Sequence, residues 1–128
     1  MKTFSMTAIL TLACVVGVPV VAFAQSTSDP MTGMTFDERV DYITDLSRAK
    51  NLARQAGERV NGGINSYWAE PSMHGPAADS PYTDNGDGTW TFIFRGGAPA
   101  SNVLDVETEV LVNRTTWDVS VVYNGPVR

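Results

Sequence analysis

Val106 to Tyr123 reads VETEVLVNRTTWDVSVVY, and the period of that stretch decides the architecture. Val106, Thr108, Val110 and Val112 alternate with Glu107, Glu109 and Leu111. Beyond Asn113-Arg114-Thr115 the alternation resumes, with Trp117, Val119, Val121 and Tyr123 on one side and Asp118, Ser120, Val122 and Asn124 on the other. A period of two belongs to an extended strand, whose successive side chains point to opposite faces. The three polar residues between the runs are short enough to close a hairpin, so the stretch predicts two antiparallel strands with one bulky face and one mostly polar face.

The same pattern continues upstream. Trp90, Phe92 and Phe94 alternate with Thr91, Ile93 and Arg95, which predicts a third strand joined to the hairpin by a looser connection, Gly96 to Ser101. Before it, Asp84-Asn85-Gly86-Asp87-Gly88 is rich in turn residues, and Pro81-Tyr82-Thr83 is expected to form a short partner strand.

Further upstream the period changes to that of a helix. Phe36, Val40, Ile43, Leu46, Ala49, Ala53, Ala56 and Val60 fall three or four residues apart and share one stripe. Thr35 and Glu38 have the spacing of a capping box, in which hydroxyl and carboxylate each accept from a free amide of the first turn. Asn61-Gly62-Gly63 supplies the stop, since glycine tolerates the left-handed conformation that ends a helix. The stripe is bulky in its first half and mostly alanine in its second, which predicts a close approach by the sheet's aromatic residues.

A long amphipathic helix and a sheet with one apolar face bury both surfaces when the helix lies across that face. The expected fold class is therefore α+β, with one long N-terminal helix packed on a three- to four-stranded antiparallel meander, as a single domain over residues 35–128. Residues 25–34 are read as a flexible lead-in. Residues 1–24 are read as a signal peptide, with Lys2 as the positive start, an apolar run from Ala8 to Val21, and Ala22-Phe23-Ala24 as the small-residue cleavage site. Retention of that run as a membrane anchor is the alternative. Cleavage leaves about a hundred residues, the size of one domain, with no stable membrane span. The expected location is exported, either periplasmic or extracellular.

Composition narrows the function. The chain has 128 residues and a formal charge of −5, which argues against an electrostatic grip on nucleic acid. The single cysteine, Cys14, lies in the leader, so the mature chain can form neither disulfides nor thiolate metal sites.

From Thr35 to Tyr123 the element order resembles the cystatin-like and PepSY-like helix-plus-sheet folds. The Gln-Val-x-Val-Gly loop by which cystatins inhibit proteases is missing, so the resemblance implies the fold and not the inhibition. Asn61-Gly62-Gly63-Ile64 through Met73-His74-Gly75-Pro76 is also similar to small exported cyanobacterial proteins, a likeness that implies no activity.

No catalytic grouping stands out, and neither a cofactor nor a metal is expected. Asp84 to Gly88 looks like a calcium loop, but that register puts Gly86 and Gly88 at ligand positions and provides no bidentate glutamate. His74 is the one histidine, and a metal site needs more ligands than it can offer. Glu107 and Glu109, with Asp118 across the hairpin, are read as a solvated outer face rather than as paired catalytic carboxylates.

The segment Ile64 to Tyr82 is longer than an ordinary connection and carries Tyr67, Trp68, Met73, His74 and Tyr82. Long loops bearing aromatic residues are common contact surfaces, and Ile93, Leu111 and Val122 are expected to add an apolar patch on the outer sheet face. The expected binding residues are therefore Tyr67, Trp68, Met73, His74, Tyr82, Ile93 and Leu111. The expected function is a non-catalytic interaction domain of the cell envelope, with a protein or small molecule as partner. Two rivals are a small-molecule carrier with its pocket between helix and sheet, and a small hydrolase centred on His74.

Overall fold

Thr35 starts the helix as its spacing implies. Its backbone N–H donates to Glu38 Oε2 at 2.7 Å, while Glu38 N–H donates to Thr35 Oγ1 at 3.3 Å. The computed structural model describes residues 29–128, so the leader assigned to residues 1–24 lies outside the described residues. The helix, α1, spans Phe36–Val60 and is the first element of the described part of the chain. It ends at Asn61, with Gly62 and Gly63 both at positive φ. Residues 29–34 form hydrogen-bonded turns from which Met31 and Met34 pack against the core, so this part of the expected lead-in is built into the domain. Among the described residues no helix is long and apolar enough to cross a membrane.

The sheet is wholly antiparallel and has five strands, more than the alternation alone revealed. They are β1 (Trp68–Ala69), β2 (Tyr82–Asp84), β3 (Thr89–Gly97), β4 (Val106–Asn113) and β5 (Val119–Pro126). β3, β4 and β5 form the meander. β1 and β2 both lie on the other edge of β3, with β2 against Trp90 to Phe92 and β1 against Gly96 and Gly97. The turn-rich Asp84 to Gly88 closes the β2–β3 hairpin, where Asn85 N–H donates to the Thr89 carbonyl at 3.1 Å and Gly86 and Gly88 take positive φ.

Trp90, Phe92 and Phe94 of β3 and Val110 and Val112 of β4 are buried beneath the helix, as the period of two requires. The helix presents a rotated stripe. Tyr42, Leu46, Ala49, Lys50, Ala53, Ala56 and Gly57 are buried, whereas Phe36 is 79% exposed and Val40 and Val60 are also exposed. Tyr42 enters the core because its hydroxyl is satisfied: Trp90 Nε1 donates to it at 3.3 Å, and it donates to Asp84 Oδ2 at 3.0 Å. The alanine-rich half does meet an aromatic. A Cβ on Gly57 would fall 2.8 Å from the Phe94 ring, so that ring occupies the space in which a carrier's pocket was expected.

β5 departs from its expected facing. Val110 pairs with Val121 but Glu109 pairs with Tyr123, leaving Val122 unopposed as a bulge. Past the bulge the faces exchange, so Tyr123 joins Glu109 on the outer face and Asn124 turns inward with Thr108. Asn124 Oδ1 accepts from Thr108 Oγ1 at 2.8 Å and from Asn61 Nδ2 at 3.0 Å, which ties the strand to the end of the helix. Trp117 lies before the strand, at φ 62, with the Arg48 guanidinium 4.0 Å from its ring centre.

Candidate functional site

Gly96 and Gly97, expected to open a loose connection, are the last two residues of β3, and each receives a close neighbour. A Cβ on Gly96 would overlap the Tyr67 phenol, and one on Gly97 would overlap the Val103 carbonyl. The missing side chains let the segment before β1 press onto one face of the strand while the segment after β3 folds back over the other. Between Trp68–Gly75 and Ala98–Leu104 lies a cleft of about 500 Å³.

Local bonds hold both walls. Glu70 N–H donates to the Arg95 carbonyl and Arg95 N–H donates to Glu70 Oε1, each at 2.8 Å. Pro71–Met73 forms a 3-10 turn whose Met73 is wholly buried, and Lys50 Nζ donates to the Gly75 carbonyl. Lys50 is itself buried, and burial followed by the charge of Arg54 holds its pKa below the ordinary lysine value. On the second wall Ser101 N–H donates to the Ala98 carbonyl and Val103 N–H to Ser101 Oγ, both at 3.1 Å. Ala100 adopts φ 61, a left-handed conformation that costs a non-glycine residue about 1 kcal/mol.

Trp68 is 55% exposed and lies beside His74, with ring centres 5.5 Å apart and planes 32° apart. Together they form an aromatic shelf at the cleft. The remaining lining is small or apolar, with Ser101 and Asn102 as polar members, and no Asp, Glu, Lys or Arg takes part.

The residues singled out from the sequence therefore separate. Trp68 and His74 meet at the cleft. Tyr67 and Met73 are core residues, at 2% and 0% exposure, so neither can offer a surface to a partner approaching from solvent. Burial raises the Tyr67 hydroxyl pKa. Tyr82 is half-buried on β2 and packs against Phe92, away from the cleft. Ile93 is exposed and Leu111 half-buried on the outer sheet face, where Ile93 stands opposite Glu109.

Glu107 and Glu109 do not form a freely solvated face, and Asp118 does not join them. Arg128 bridges them, with Nε 2.7 Å from Glu107 and Nη2 2.8 Å from Glu109, and its guanidinium lies 3.8 Å from the Tyr123 ring centre. Asp118 instead accepts from Thr116 Oγ1 at 2.8 Å in the turn.

The hydrolase grouping is not assembled. His74 is exposed, and among the described residues its ring makes no hydrogen bond to a serine or a carboxylate; its neighbour is Trp68. Among the described residues no group of three His, Cys, Asp or Glu side chains could hold a metal ion.

Residues 98–104 were missed as a wall. Their one sequence signal is Val103-Leu104, an apolar pair in a segment that otherwise reads as loop; both remain exposed. Comparison of the chain with protein families, with characterised proteins and with solved structures brings no match.

Proposed function

We propose that the chain is an exported, non-catalytic binding domain that takes its ligand in the cleft beside Trp68. The observation that carries this reading is a large aromatic side chain left mostly open beside a concavity built by two constrained segments. A concave site lined by apolar groups with a few neutral polar ones is the usual form of a small-ligand site. Leaving an indole exposed forgoes hydrophobic stabilisation that burial against a ligand recovers.

The outer sheet face supports a contact less well, because the Arg128 bridge and Glu109 interrupt its apolar residues. Screening a set of neutral fragments by 1H–15N NMR tests the cleft. Shifts are expected to cluster at the Trp68 indole and the Ala98 to Leu104 amides, and hits clustering elsewhere would remove the reading. Export is tested by sequencing the amino terminus of protein recovered outside the cytoplasm, which is expected to begin at Gln25.

A further inference from the structure

From the composition of the cleft walls we infer that the ligand is a compact, uncharged and predominantly apolar molecule; this rests on the cleft being the binding site. The chain carries a net charge of −5, yet the lining contains no Asp, Glu, Lys or Arg. An ionic group enclosed there would lose hydration with no carboxylate, ammonium or guanidinium of the walls to meet it, which is costly.

The hydrogen-bond accounting of the walls disfavours a ligand rich in hydroxyls. Several polar atoms of the lining are already committed within the chain: the Gly75 carbonyl accepts from Lys50 Nζ, the Ala98 carbonyl from Ser101 N–H, and Ser101 Oγ from Val103 N–H. The other polar side chains of the lining, the Trp68 indole N–H, the His74 ring and the Asn102 amide, belong to exposed residues, whereas the one buried member, Ala69, is apolar. Each hydroxyl of a deeply seated ligand would exchange water for a wall with few free partners, and an unpaired buried hydroxyl is penalised. What the walls do offer is apolar surface on both sides, from Trp68, Pro71, Ala98, Ala100 and Leu104. A ligand of the same character removes that surface and its own from water together.

Isothermal titration of the protein at pH 7 with 2-naphthol, with 2-naphthoate and with cellobiose tests the inference. The first probe is apolar and uncharged, the second puts a charge on the same rings, and the third is neutral but covered in hydroxyls. 2-Naphthol is expected to bind with a negative heat-capacity change, and the other two at least about tenfold more weakly. Trp68→Ala should weaken 2-naphthol by at least about tenfold, with circular dichroism unchanged. Either of the other probes binding as tightly as 2-naphthol, or no measurable binding of 2-naphthol, overturns the assignment. 1H–15N NMR separates the two readings. If cellobiose or 2-naphthoate is the tighter ligand and shifts the Trp68 indole and the Ala98 to Leu104 amides, the apolar class falls while the cleft stands. If 2-naphthol binds but shifts cluster away from those groups, both fall.

Discussion

At Gly57 two effects of opposite sign compete. Alanine in a helix interior is favoured over glycine by about 1 kcal/mol. Against that, the new methyl would stand 2.8 and 2.9 Å from two atoms of a Phe94 ring that is almost wholly buried. Overpacking a fixed core costs about 1–3 kcal/mol, so Gly57→Ala is expected to lower the unfolding free energy in urea by about 1 kcal/mol net. A gain in stability would show that the ring yields. Lys50 carries a pH signature. Its folded pKa lies below the ordinary lysine value of 10.5, so the unfolded chain binds that proton more tightly, and stability rises with pH from the lowered value up to 10.5. The difference in unfolding free energy between wild type and Lys50→Met should therefore shift in favour of wild type across that window; a difference independent of pH would contradict the burial effect. Neither position was legible from residue type alone. A glycine within a helix and a lysine on its flank declare their roles only once the opposing face is in place.

β5 shows how far periodicity reaches. Val121, Val122 and Tyr123 are three consecutive apolar residues, so the run fits either facing equally well and is silent about a one-residue slip. The bulge at Val122 takes that freedom, and its outcome is fixed by Asn124, which meets both Thr108 and Asn61. Asn124→Ala is expected to cost about 1–2 kcal/mol in thermal or chemical denaturation, because it leaves two polar partners without their bonds. An unchanged stability would mean that the apolar contacts of β5 alone set its register. By contrast, α1 was legible almost to the residue. A capping box, a clear 3.6-residue repeat and a double-glycine stop agree there, and agreement among independent local signals is what makes an element readable. The rotation of its buried stripe was not legible, because Tyr42, Lys50 and Gly57 are buried by partners on distant segments: Asp84 and Trp90, Gly75, and Phe94.

For the molecule as a whole, the helix-on-sheet arrangement follows from two amphipathic periods in one short chain, and each needs the other to bury its apolar side. The cleft was only partly legible. Trp68 and His74 stood out by type, but the facing wall comes from a distant segment and depends on what two glycines let approach. Core and cleft are expected to respond separately to mutation. Trp90→Ala should cost about 3–5 kcal/mol because it empties a buried site, whereas Trp68→Ala should cost no more than about 1 kcal/mol, as measured by the shift in Tm. A collapse of the fold on removing Trp68 would make it a structural residue. Both walls meet at the same end of β3, and Trp68, His74 and residues 98–104 line the cleft without belonging to the buried core. Divergence can thus remodel what is captured without endangering the scaffold: kindred chains should keep the two adjacent glycines and the aromatic strand, and vary at positions 68, 74 and 98–104.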